Sequence, residues 1–285
     1  MKREEYIELL RRYEAFLSEM PLDKYKEELR PIKTVEQDLP KELNPLYDLY
    51  YSYWTEEPTK SFPSFEDFFN GYWDNHERGP YILKFIEKYF WGCSHDFVKK
   101  GLKARLYRTF ISVLTQFHFC YTWKAYCSSK IEASAELDMR GIDAKIFYDD
   151  YIQVGLQIKK ETYRPEAREG GRFAQRSLKD IHLFLEIPYT INEPEDLEKK
   201  CQNAKKQETR KRYQKLYYLS RVLQKYLSNG FVVFEPSYAE RIEKNIIMNL
   251  RSRPPNLSRY TWEMTLDAII KWDESSPLNE TANLV

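Results

Sequence analysis

The chain has 285 residues, enough for one large domain or two modest ones and for a substantial core. Its charge is dense but balanced, 45 Lys+Arg against 44 Asp+Glu, so any nucleic-acid surface must be a local patch rather than a general basic coat. Glycine is scarce, at nine residues, and no G-x-G-x-x-G or phosphate-loop spacing occurs, which argues against nucleotide-cofactor folds.

In chain order, Tyr6, Leu9, Leu10, Tyr13, Phe16 and Leu17 recur at helical spacing, which predicts a helix over 3–19 that Pro21 stops. Residues 31–63 are rich in proline and tyrosine and predict loops and short helices with aromatics at their junctions. Ser64 is placed to cap a helix from Phe65 to Trp73, and a further helix follows Pro80. From Ser94 to Cys127 there is no proline and Gly101 is the only glycine. One helix of that length spans roughly 50 Å, and its second half is apolar on most sides, so burial is expected there. The period then changes to two. Ile131 to Leu137 reads as a strand, Asp138 to Gly141 as a turn, Ile142 to Phe147 as a second strand and Ile152 to Ile158 as a third, with Asp149-Asp150 near their connection. Residues 162–171 read as a polar loop and Arg172 to Asp180 as a helix. Leu183 to Ile187 reads as a short buried strand, and Pro194 to Leu227 as a charged helix or helix pair. Phe231 to Phe234 reads as a strand, Tyr238 to Leu250 as a helix, and the tail from Ser275 as polar and frayed.

The expected fold is α/β, a mixed β-sheet core flanked by helices with a helical N-terminal portion. The expected division is 1–92 as a Tyr-rich helical portion packed on the core, 93–250 as an α/β core that carries the candidate functional residues, and 251–285 as a C-terminal extension. Cys93, Cys120, Cys127 and Cys201 form no C-x-x-C pair, and no apolar leader or apolar run of eighteen residues occurs. Reduced thiols in a cytoplasmic protein are therefore expected.

The segment from Ile142 to Lys160 carries the chemistry. Asp143 opens one alternating run and Gln157-Ile158-Lys159 closes the next. Metal-assisted phosphodiester hydrolysis needs hard oxygen ligands for a divalent cation, and Mg²⁺ is commonly held by one or two carboxylates. Asp143 suits that role, Gln157 offers a side-chain oxygen and Ile158 a backbone carbonyl. Lys159 shares a strand face with Gln157, from which its ammonium can orient a nucleophile. Asp138 is a second candidate acid of equal standing on pattern alone. Glu132 and Glu136 fall on one strand face; assistance at the site and solvent exposure are the two readings, and solvent exposure is favoured. The bland alternative is a turn acid at Asp143 and a solvated edge at Lys159-Lys160. Arg164, Arg168, Arg172 and Arg176 follow directly, spaced to reach phosphates or guanine edges, where a bidentate contact discriminates by about 1–3 kcal/mol. An exposed charged loop is the competing reading. His118, in F-H-F-C-Y, reads as a core histidine.

The chain resembles the TaqI-type type II restriction endonucleases, a PD-(D/E)XK-like nuclease family. The resemblance rests on R-P-I-K-T-V-E-Q-D-L-P-K-E-L-N-P-L (30–46), K-Y-F-W-G-C-S (88–94), A-R-L-Y-R-T (104–109) and T-Q-F-H-F-C-Y (115–121). G-I-D-A (141–144), Q-I-K-K-E-T-Y-R (157–164) and E-I-P-Y-T (186–190) continue it, and it weakens after Tyr238. The segment between Asp143 and Gln157 departs from the family pattern, at a hairpin tip that tolerates change. The resemblance implies a restriction-endonuclease core, Mg²⁺ dependence, a homodimer, a cognate DNA methyltransferase and cleavage of duplex TCGA after the T with 5′ overhangs. It implies catalytic importance for Asp138, Asp143 and the Lys159-Lys160 pair. Metal ligation then falls to Asp143, Asp138 and Ile158, Gln157 completes the catalytic set, and strand geometry favours Lys159 over Lys160. Two alternatives stay open: a structure-specific repair or recombination nuclease, and a DNA-binding protein that does not cut.

Overall fold

The computed structural model describes residues 2–148, 152–161, 181–248 and 258–275. Contacts divide the chain into two compact units. The first holds residues 1–118 with 227–231, and the second holds 119–226 with 232–285.

The first unit is helical: α1 (Arg3–Glu19), α2 (Leu22–Glu28), α3 (Leu46–Tyr53), α4 (Phe65–His76), α5 (Pro80–Tyr89) and most of α6 (His95–Tyr126). Ser64 caps α4 as predicted, its hydroxyl accepting the Asp67 N–H. The tyrosine-rich composition is largely a matter of core building. Tyr13 and Tyr53 are fully buried, and their hydroxyls donate to the carbonyls of Leu114 and Pro63. Phe110 lies 5.0 Å from Phe65 and 5.3 Å from Tyr53, ring centre to ring centre. Asn229 returns to this unit and donates to the Leu17 and Met20 carbonyls, which satisfies the C-terminal end of α1.

The second unit is built on a mixed sheet of order β1-β2-β3-β4-β7 among the described residues. β1 (Lys130–Glu132), β2 (Ala144–Phe147) and β3 (Gln153–Lys160) form an antiparallel meander. β4 (Leu183–Tyr189) runs parallel to β3, and β7 (Ser258–Tyr260) runs parallel to β4. Every residue of β4 is buried, as expected of a parallel strand covered on both faces. The C-terminal end of α6 is buried as predicted. α8 (Pro194–Asn203), α9 (Gln207–Tyr218), α10 (Pro236–Ile242) and α11 (Trp262–Ser275) accompany the sheet. β5 (Gln224–Tyr226) and β6 (Val232–Phe234) form a separate hairpin.

Three expectations are corrected. The strand predicted to reach Leu137 stops at Glu132, and Ala135–Met139 forms a short helix, α7. The Ser134 hydroxyl accepts the Leu137 N–H at 3.3 Å, so an N-cap overrides an alternation that looked like a strand. Glu132 and Glu136 therefore share no strand face, and Asp138 sits in a helix rather than a turn. The helix predicted to continue to Leu227 ends earlier, because Gln224–Tyr226 pairs with Val232–Phe234. The C-terminal segment adds β7 and α11, which were not anticipated. Asp149-Asp150, the predicted helix 172–180 and the tail beyond Ser275 lie outside the described residues.

Candidate active site

Gly141 takes a positive φ of 78° and turns the chain from α7 into β2. Ile142 donates back to the Leu137 carbonyl, leaving the ladder at the point where it would pair with Ile158. The Asp143 side chain fills that position: Oδ2 accepts the Ile158 N–H at 2.6 Å, while the Asp143 N–H donates to the Leu156 carbonyl. The carboxylate thus stands at the end of the sheet with its orientation fixed by backbone. It is 5% exposed.

Burial pushes the Asp143 carboxyl well above the usual carboxylate range, and the Asp138 charge pushes it further; the Ile158 N–H opposes both. The two acids are therefore close enough to repel, and Asp138 Oδ2 is itself shielded from solvent. The same pair acts on Cys120 of α6, whose thiol is raised first by burial and then by Asp143. All four cysteines are free.

Gln157, Ile158, Lys159 and Lys160 all lie on β3, which runs two residues further than predicted. In the parallel register Gln157 stands beside Glu186 and Lys159 beside Pro188. Gln157, Lys159 and Glu186 consequently occupy one face, with Ile158 and Lys160 on the other. Lys159 reaches within 3.9 Å of Glu186 Oε1, whereas Lys160 is exposed. Arg164, Arg168, Arg172 and Arg176 fall outside the described residues.

Glu186, which the sequence did not single out, lies beside Gln157 and Lys159. It is 3% exposed in an otherwise apolar strand, and its carboxylate also receives Arg259 of β7 and the N–H of Trp262. A glutamate inside L-F-L-E-I-P-Y was the available signal, since a buried charge needs partners.

Two mutually repelling carboxylates and a nearby backbone carbonyl are a donor set of hard oxygens. A cation would relieve the repulsion, so the residues fit a divalent metal of the Mg²⁺ kind. Among the described residues no cluster of three or more His, Cys, Asp or Glu side chains forms a fuller cage. No helix among them is long and apolar enough to cross a membrane.

A paired-acid sheet end beside a lysine-bearing strand can support metal-assisted hydrolysis of a phosphodiester. The family model described as TaqI restriction endonuclease matches residues 10–246. Over 267 residues, 93% of this chain, the chain is 46% identical to the type II restriction enzyme TthHB8I of Thermus thermophilus, 94% of which is covered. It is also 46% identical to the type II restriction enzyme TaqI of Thermus aquaticus over 267 residues, 93% of both chains. The chain belongs to the TaqI restriction endonuclease family. No solved structure matches it.

Proposed function

We propose that this protein is a Mg²⁺-dependent type II restriction endonuclease that cuts both strands of duplex DNA at TCGA, after the T, leaving 5′ overhangs. The observation that carries the reading is the Asp138–Asp143 pair at the end of the sheet, beside β3 and its lysines, in a chain of this family. Asp143 and Asp138, with the Ile158 carbonyl, are the ligands for the metal. Bound there, Mg²⁺ supplies charge neutralisation at the phosphodiester and a more acidic water.

The remaining steps belong to the chain's own side chains. Ile158 holds one Asp143 oxygen, which fixes the direction of the carboxylate. Lys159, on the face shared with Gln157, orients the attacking water and counters charge developing on the phosphate. Gln157 offers a neutral oxygen and Lys160 contributes a cation from the opposite face. Arg164, Arg168, Arg172 and Arg176 contact phosphates and base edges. A palindromic target is read by a two-fold homodimer with one site for each strand. A cognate DNA methyltransferase protects the host, and both proteins work in the cytoplasm.

Supercoiled plasmid incubated with the protein and Mg²⁺ tests this directly. Discrete fragments whose ends map to TCGA support the reading. A random smear, cutting confined to branched or nicked substrates, or a shifted TCGA duplex that is never cut would overturn it.

A further inference from the structure

We propose that Glu186 is a positioning residue for Lys159, and that the C-terminal β7–α11 segment holds Glu186 in place. The inference rests on the nuclease reading for its consequence in catalysis, but the contact it describes stands on geometry alone. Glu186 Oε1 lies 3.9 Å from the Lys159 ammonium, whose side chain is 38% exposed and would otherwise sample many rotamers. The same oxygen receives the Arg259 guanidinium, and Oε2 accepts the Trp262 N–H at 3.1 Å. Trp262 opens α11, a helix of fourteen residues, so the carboxylate also meets the positive end of a helix dipole. Thr265, one turn on, donates its hydroxyl to the Glu186 carbonyl at 2.9 Å.

These contacts hold the carboxylate from several directions, so the Lys159 ammonium faces a negative charge whose place is already fixed. The Trp262 ring lies under the Arg212 guanidinium, centroid distance 5.2 Å, and Arg212 reaches Glu161 at 3.5 Å. Glu161 directly follows the lysine pair and donates its N–H to the Tyr189 carbonyl. The start of α11 is thereby tied to β4 through Glu186 and to the end of β3 through Arg212 and Glu161. β7 and α11 lie beyond residue 246, where the family match stops, so this support belongs to a part of the chain that the family model does not describe.

Two measurements test the proposal. The first needs no cleavage: Lys159 labelling by an amine-reactive reagent, followed by mass spectrometry in the full-length protein. Glu186→Gln is expected to raise the Lys159 labelling rate roughly threefold while Lys160 stays constant, because a neutral amide no longer attracts the ammonium. The second is cleavage kinetics on a TCGA duplex, where Glu186→Gln lowers kcat by about 10–100-fold and leaves KM within about threefold. Should that variant fail to fold, Glu186→Asp withdraws the carboxylate by one methylene and is expected to move both readouts the same way. Unchanged Lys159 labelling in a folded variant, or a change confined to KM, overturns the positioning role. A wild-type protein that never cuts overturns the nuclease reading instead, and the labelling result still decides whether Glu186 holds Lys159.

Discussion

Asp143 accepts the Ile158 N–H on a carboxylate oxygen, at 2.6 Å, in the place where a sheet hydrogen bond would otherwise lie. One side chain therefore serves as a backbone substitute and as a candidate metal ligand. Asp143→Asn keeps an acceptor for Ile158 and removes the charge. Cleavage is expected to fall by more than about 100-fold, beyond the loss typical of a supporting residue. The metal-free protein is expected to gain about 0.5–2 kcal/mol near neutral pH.

The sign follows from the raised Asp143 carboxyl. Its neutral form suits burial, so its contribution to stability is full below the ordinary carboxylate range and is lost as pH rises through the raised value. Thermal melts of metal-free wild type and Asp143→Asn should therefore converge at acid pH and separate as pH rises. Parallel curves across that range would contradict the buried, Asp138-opposed carboxylate.

The two lysines should separate in single-turnover kinetics. Lys159 shares a face with Gln157 and Glu186, whereas Lys160 points the other way and is exposed. Lys159→Ala is expected to lose roughly 10²–10³-fold in rate, the scale of removing one transition-state donor. Lys160→Ala is expected to lose far less. The reverse ranking would show that the register misleads about which lysine acts.

Glu243 makes a different kind of prediction. Its carboxylate accepts both backbone N–H groups and both hydroxyls of Ser128 and Ser129, at 2.6–3.1 Å. Burial pushes its acidity down, but the hydrogen bonds outweigh burial and hold the carboxyl below its usual value. Its stabilisation is therefore present above the ordinary carboxylate range and is lost as pH falls through the lowered value. Glu243→Gln should cost about 1.5–3 kcal/mol at neutral pH, measured by urea unfolding, with the gap closing in acid.

Gly101 sits inside α6, where alanine is normally better by about 1 kcal/mol. A Cβ there would lie 2.7 Å from Val35 Cγ2 and 3.0 Å from Thr34 Cβ. Both neighbours are β-branched and stiff, so Gly101→Ala is expected to destabilise by roughly 1–3 kcal/mol despite the gain in propensity. A rise in melting temperature would show that the 34–35 segment yields.

The placement of the candidate site was legible in part because it is local. Asp143 directly precedes β2, and Gln157 and Lys159 lie on the adjoining strand of the meander, where alternation and a glycine turn point to the pairing. α7 was misread because A-S-A-E-L alternates like a strand, while the Ser134 cap and the helix-favouring Ala, Glu and Leu after it carried the better signal. α11 was also readable: Trp262, Leu266 and Ile269 repeat at helical spacing and are buried. Glu186 was harder. Its place beside Lys159 comes from a parallel pairing with β3, and no local pattern announces which distant strand will lie alongside.

That difference in sequence distance also orders the assembly of the protein. The Asp143–Ile158 bond closes a separation of 15 residues, whereas Arg259 and Trp262 meet Glu186 across 73 and 76. Closing the longer loop costs about 1.4 kcal/mol more in chain entropy, and distant parallel pairings form slowly. During synthesis the acid end of the site is complete in sequence long before Arg259 and Trp262 leave the ribosome. The lysine's support is thus the last part of the centre that the growing chain can acquire.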